Sequence, residues 1–108
     1  MKLAVSAGLA FFLACQGATP IRKLLDDPGH YDGKTVRIAG TVKTSIGALG
    51  FGAYEVEDET GTLPVVVQSG GSTPRTGARV GVEGEFRSAF TLGTRSVAVL
   101  MEKQHKTR

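Results

Sequence analysis

Tryptophan is missing from these 108 residues, and the chain has one cysteine, two histidines and two tyrosines. That scarcity excludes whole classes of chemistry. A structural zinc site takes about four Cys, His or carboxylate ligands, and one thiol with His30 and His105 far apart in sequence does not supply them. No Gly-x-Ser-x-Gly elbow offers an activated nucleophile. The Gly-rich stretch around Gly47, Gly50 and Gly52 lacks the Gly-Lys-Ser/Thr ending of a phosphate-cradling loop. The sequence is therefore expected to be non-catalytic, with no cofactor and no metal. Nor is there a strong excess of charge. Thirteen Lys and Arg oppose ten Asp and Glu, a net of +3 that does not by itself imply a polyanionic partner.

No apolar run reaches the ~20 residues a bilayer-spanning helix needs. Lys2 is instead followed by a twelve-residue apolar stretch, residues 3–14, interrupted by Ser6 and Gly8. This has the length of a signal-peptide core. The segment Phe12-Leu13-Ala14-Cys15 resembles the lipobox of bacterial lipoproteins, with Phe12 and Leu13 looser matches than Ala14 and Cys15. The resemblance implies cleavage before Cys15, alkylation of its thiol by a diacylglyceryl group, and acylation of the new N-terminus, which supplies the second signal that stable anchoring requires. Cys15 is the sole cysteine, so no disulfide competes for it. The alternative is ordinary secretion, with cleavage after Gly17 or Ala18. Gln16 is not Asp, which by the same resemblance directs the protein to the periplasmic side of the outer membrane. The expected organisation is a signal peptide at 1–14, a lipid-anchored linker at 15–19, one domain at 20–103 and a polar, solvated tail at 104–108.

Within the domain, Thr19-Pro20 predicts a helix start, with Thr19 as N-cap and Pro20 at the first helical position. Ile21, Leu24 and Leu25 follow at helical spacing, and Pro28-Gly29 predicts the stop. Beyond that the period becomes two. Val36, Ile38, Gly40 and Val42 alternate with Thr35, Arg37, Ala39, Thr41 and Lys43, and the mid-strand Gly40 predicts a bend. Further strands are predicted at 53–58, 63–68, 79–86 and 96–103, with a turn at Asp58-Glu59-Thr60-Gly61. Longer loops are expected at 45–52, 70–77 and 87–95. The expected core is Val36, Ile38, Val42, Tyr54, Val56, Leu63, Val65, Val67, Val80, Val82, Phe86, Val97 and Val99.

Gly33-Lys34-Thr35-Val36-Arg37-Ile38-Ala39-Gly40-Thr41-Val42 resembles the first strand of OB-fold domains. Tyr54-x-Val-x-Asp-x-Thr-Gly-x-Leu-x-Val-Val-Val is similar to the second and third strands of the nucleic-acid-binding, tRNA-anticodon-like branch, and Val80-x-Val-x-Gly-x-Phe to the fourth. The resemblance spans about residues 20–103. It implies an all-β, five-stranded Greek-key barrel with a short N-terminal helix, similar to small exported bacterial lipoproteins of this fold. Many OB folds carry a helix between the third and fourth strands, whereas residues 70–77 here are too rich in Gly and Pro to form one.

That fold serves readers of nucleic acid, glycan and protein alike. Binding single-stranded nucleic acid needs a positive groove and exposed aromatic platforms. With Tyr54 and Val56 inside, Glu55 and Glu57 face outward, joined by Glu83 and Glu85, and carboxylates there repel phosphates. Arg37, Thr41 and Lys43 oppose this only locally. The favoured expectation is an envelope-anchored binding module for a protein, glycan or small ligand, with single-stranded nucleic-acid binding as the alternative. In OB folds the ligand surface is flanked by the first and last inter-strand loops. Here those loops hold Phe51, Phe90, Arg87 and Arg95, the candidate contact patch. The anchoring expectation is checked by the intact mass of detergent-extracted protein. A chain beginning at Cys15 with three acyl groups is expected, against a soluble, unacylated product starting at Ala18 or Thr19.

Overall fold

The computed structural model describes residues 17–48, 51–67, 73–92 and 94–107, and for 46–48, 51 and 92 the backbone alone. Residues 1–14 and Cys15, which carry the expected leader and anchor, lie outside the described residues. The period-2 stretches form five strands: β1 (Thr35–Ala48), β2 (Phe51–Glu57), β3 (Thr62–Val67), β4 (Arg79–Leu92) and β5 (Arg95–Thr107). They pair in the order β1-β2-β3-β5-β4, and β4 returns to β1 to close the sheet. Every pairing is antiparallel except β3 with β5.

Closure depends on one strand serving two neighbours. Thr35 to Thr41 of β1 pair with β4, and from Thr41 onward β1 pairs with β2. The change of partner falls beside Gly40. A Cβ there would collide with the backbone carbonyl of Glu57. Glycine is required by this close approach of two backbones rather than by a left-handed φ. Gly84 plays the same part where β4 meets the backbone carbonyl of Met101 in β5.

Alternation then fills the barrel. Ile38, Val42, Tyr54, Val56, Leu63, Val65, Val67, Val80, Val82 and Phe86 form one buried cluster with Leu100. Val36 and Val97 are half-buried, while Val99 is buried outside this cluster. Ile21 and Leu24, fully buried, extend the cluster from the N-terminal helix α1 (Ile21–Asp26). A helix this short is unstable alone, and its buried face is what holds it. It plugs one end of the barrel.

The helix start differs from the sequence expectation by one residue. Pro20, not Thr19, occupies the N-cap, and no side chain of its own caps the helix. Instead the turn between β2 and β3 reaches across. The Ile21 amide donates to Asp58 Oδ2 at 2.9 Å, and the Arg22 amide to Thr60 Oγ1 at 3.0 Å. Asp58 Oδ1 also accepts from the Thr60 and Gly61 amides and the Thr60 hydroxyl. Pro28 does not end helical structure. It opens a second helical turn, α2 (Pro28–Tyr31), because proline at the first helical position forfeits only an amide with no partner to lose.

Three further expectations change. The anticipated loop 45–52 is strand on both sides of residues 49–50, and 87–95 is strand through Leu92 and again from Arg95. The tail expected to be solvated is paired strand: Val82 faces His105 and Val80 faces Thr107. Antiparallel pairing of β4 with β5 carries both elements further than their apolar residues reach.

Two outcomes test this architecture. Val82→Asp buries an unpaired charge in the core and should cost several kcal/mol in denaturant unfolding. Asp58→Ala should cost about 1–2 kcal/mol at neutral pH, the scale of a lost helix cap. Partial burial pushes the Asp58 carboxyl up, but the hydrogen bonds from Thr60, Ile21 and Gly61 outweigh it and hold it below the ordinary carboxylate value. A pKa depressed by folding stabilises above the unfolded value, about 4, and that contribution fades as pH falls through the folded value. The gap between parent and Asp58→Ala should therefore narrow below about pH 4.

Candidate binding surface

The outer side of the sheet follows from the same alternation. On β2 it carries Ala53, Glu55 and Glu57, and on β3 Thr62, Pro64 and Val66, with Arg37 and Lys43 on β1. Both glutamates of β2 are exposed, as the sequence implies. Cations meet carboxylates across this surface. Arg37 Nη2 lies 3.9 Å from Glu83 Oε2, Lys43 Nζ 3.5 Å from Glu57 Oε1, and Arg87 Nε 2.8 Å from Glu85 Oε2. Exposed pairs like these contribute little stability. Their effect is on the field, because Arg37, Lys43 and Arg87 are each matched locally by a glutamate.

Towards β5 the outer side turns apolar. Val66 sits between Ala53 of β2 and Met101 of β5. Leu100 and Ala98 point to the core, so Val97, Val99 and Met101 share the outer side with Val66. Val66 and Val99 are 1% and 0% exposed, yet neither joins the central cluster.

The four candidate contact residues fall on two hairpins. Phe51 opens β2 opposite Ala48, and its side chain lies outside the described residues. Arg87, Phe90 and Arg95 belong to the β4–β5 hairpin, where Phe90 is half-buried opposite Val97 and both arginines are exposed. Gly52 pairs with Val67, so the first residues of β2 lie at the C-terminal end of β3. Because β5 runs parallel to β3, its first residues lie towards the opposite end. The strand ends that lead into the two hairpins lie towards opposite ends of the sheet, with Arg87, Phe90 and Arg95 spaced along one hairpin and Phe51 on the other. At the base of the β4–β5 hairpin the register slips between Arg87 and Phe90. Asp32, at the end of α2, accepts there from the Ser88 amide at 2.7 Å and the hydroxyl at 3.0 Å, and these bonds lower its pKa.

One cluster escaped the sequence reading. Tyr54, 2% exposed, donates its hydroxyl to Glu102 Oε1, and His105 Nδ1 donates to the same oxygen at 2.9 Å. The Tyr54 and His105 rings meet edge to face at 5.9 Å. Glu102 and His105 are three apart, which in a regular strand puts them on opposite faces. The register shift that sets Glu83 against Gln104 but Gly84 against Glu102 leaves Lys103 as an extra residue, and both side chains turn inward. The one available signal was Tyr54 itself, because a buried tyrosine hydroxyl needs a partner. Burial, then the Glu102 hydrogen bond, push the Tyr54 phenol far above its ordinary pKa. Tyr54→Phe should lower stability by about 1–2 kcal/mol through the lost bond to a charged acceptor, read as a shift in the urea midpoint with an unchanged slope.

No family model matches the chain, and no curated protein matches it. Among solved structures it is similar to an asparaginyl-tRNA synthetase from Pyrococcus horikoshii, with a TM-score of 0.59 and 22% identity over 72% of this chain and 20% of that one. A chain described as an aspartyl-tRNA synthetase from Leishmania major Friedlin gives 0.68 and 17% over 83% of this chain and 20% of that one. The OBody AM3L09 bound to hen egg-white lysozyme gives 0.58 and 16% over 72% and 84%. The chain thus spans about a fifth of the length of the synthetases. At these identities the likeness establishes the fold: a five-stranded closed sheet with short helices, OB-like in architecture.

Proposed function

We propose that this chain is a non-catalytic binding module, exported and held at the cell envelope through a lipid on Cys15. Its partner is a protein or glycan surface of low net charge, gripped between the β1–β2 and β4–β5 hairpins. The observation that carries this reading is the pairing of Arg37, Lys43 and Arg87 with Glu83, Glu57 and Glu85 on the outer side. A phosphate backbone approaching there meets carboxylates already holding the nearby cations. The apolar outer residues Pro64, Val97 and Met101 favour a partner that buries uncharged surface. The OBody's presence on lysozyme supports the idea that a chain of this size and fold can hold a folded protein.

A second reading, single-stranded nucleic-acid binding, draws on the likeness to aminoacyl-tRNA synthetases. The two readings separate on salt. Nucleic-acid binding predicts retention on immobilised single-stranded DNA or RNA that falls steeply with ionic strength, whereas the proposed module should pass through such a column. The double substitution Phe51→Ala with Phe90→Ala should abolish partner retention in a membrane pull-down with the melting temperature nearly unchanged. A large loss of stability would instead make the rings part of the core and remove them from the site.

A further inference from the structure

Gly40 and Gly84 stand where another backbone passes, but Gly81 does not. A Cβ on Gly81 meets no heavy atom within 4 Å, and its φ is not positive. Glycine inside a strand weakens it and often marks a place where something else comes close. The register shows what surrounds this one. Ala39 of β1 lies opposite Gly81 on one side and Lys106 of β5 on the other. Val80 and Val82 are buried in the core, so Gly81 shares the outer side with Arg79 and Glu83. Lys103 reaches the same side, donating to Thr35 Oγ1 at 2.9 Å. Exposed Arg37, Arg79, Lys103 and Lys106 thus stand around a floor of Gly81 and Ala39. Of the nearby carboxylates, Glu83 faces Arg37 and accepts from Gln104, and Glu85 is held by Arg87. Arg79, Lys103 and Lys106 enter no ion pair among the described residues.

The N-terminal segment arrives beside this face. The Thr19 amide donates to the Arg37 carbonyl, and Gly17 and Thr19 border a hollow with Thr35, Arg37 and Glu83. Cys15 stands four residues before Thr19, a span of at most about 14 Å. We infer, on the reading that Cys15 carries a lipid, that this face lies against the bilayer, with its cations on headgroup phosphates. A basic side chain near an anionic membrane surface adds roughly fivefold to its occupancy. The bare backbone at Gly81 lets the sheet come close. No aromatic ring stands at the outward positions of β1 from Thr35 to Thr41 or of β4 from Arg79 to Glu85, so nucleic-acid bases find no stacking platform there. In the order β1-β2-β3-β5-β4, β4 lies across the closed sheet from β2 and β3. Docking by this face therefore turns Glu55 and Glu57 away from the headgroups.

The test is a lysine footprint on the full chain, extracted in detergent and reconstituted on vesicles. The vesicles are phosphatidylcholine alone, or phosphatidylcholine with about one-third anionic phosphatidylglycerol, and acetylation of each lysine is read by mass spectrometry. Lys103 and Lys106 should be protected several-fold on the anionic vesicles relative to the neutral ones, while Lys43, beside Glu57, is labelled alike on both. The protection should fade at about 1 M salt, where the screening length falls to about 3 Å. Arg79→Ala should reduce it up to about fivefold. Gly81→Glu, whose side chain enters open space, should abolish it, and both variants should keep the parent's melting temperature. Equal labelling on the two vesicles, or protection that survives Gly81→Glu, overturns the docking face. Stronger protection by single-stranded DNA than by anionic vesicles assigns the face to nucleic acid instead. The intact mass reads the anchor separately. An unacylated chain sinks the anchoring reading, and the docking face then stands only if that chain sediments with anionic and not with neutral vesicles.

Discussion

The contact on which the rest of the molecule depends is the close passage of two backbones where Gly40 meets the Glu57 carbonyl. A strand that pairs with one neighbour over its first half and another over its second must bend sharply, and the inside of that bend has no space for a side chain. With the bend made, β4 can pair with β1 on one side and β5 on the other. The sheet then encloses a buried cluster of branched aliphatic side chains together with the rings of Tyr54 and Phe86. Closure also leaves the barrel with ends rather than open sheet edges, and those ends must be sealed.

The seals are of different chemistry. At the β2–β3 turn, α1 inserts Ile21 and Leu24, and Asp58 and Thr60 satisfy the amides that the helix leaves without internal partners. Further along β2 the interior is polar, with Tyr54, Glu102 and His105 sharing one carboxylate oxygen. A buried carboxylate is costly without donors, and here two side chains supply them. The same hydrogen bonds hold the His105 ring against Glu102 and Tyr54, so this end of the interior is fixed as one unit.

The outer surface shows how similar folds come to differ in what they can hold. The architecture is shared with enzymes that handle tRNA, yet a barrel of this kind carries only the charges its outward positions bring. Here glutamates alternate with the core residues of β2 and β4, and cations stand across from them. The balance is local, with Arg37, Lys43 and Arg87 each set against one glutamate.

Much of this was legible in the sequence, because side-chain alternation and turn chemistry act between neighbours. The five strands, the Asp58–Gly61 turn, most of the core and the outward set of Glu55, Glu57 and Arg37 follow from residues a few positions apart. The bend at Gly40 was legible as a position, though not its cause, since Glu57 lies seventeen residues away. What the sequence could not decide depends on partners distant along the chain. Strand pairing, not apolar pattern, carries β4 to Leu92 and β5 to Thr107. A cap from Asp58 replaces the one expected from Thr19. The extra residue at Lys103 turns His105 inward from a segment that reads as a polar tail. In each case a backbone or side-chain group is satisfied by one that only the folded chain brings within reach, and no local pattern records which group that will be.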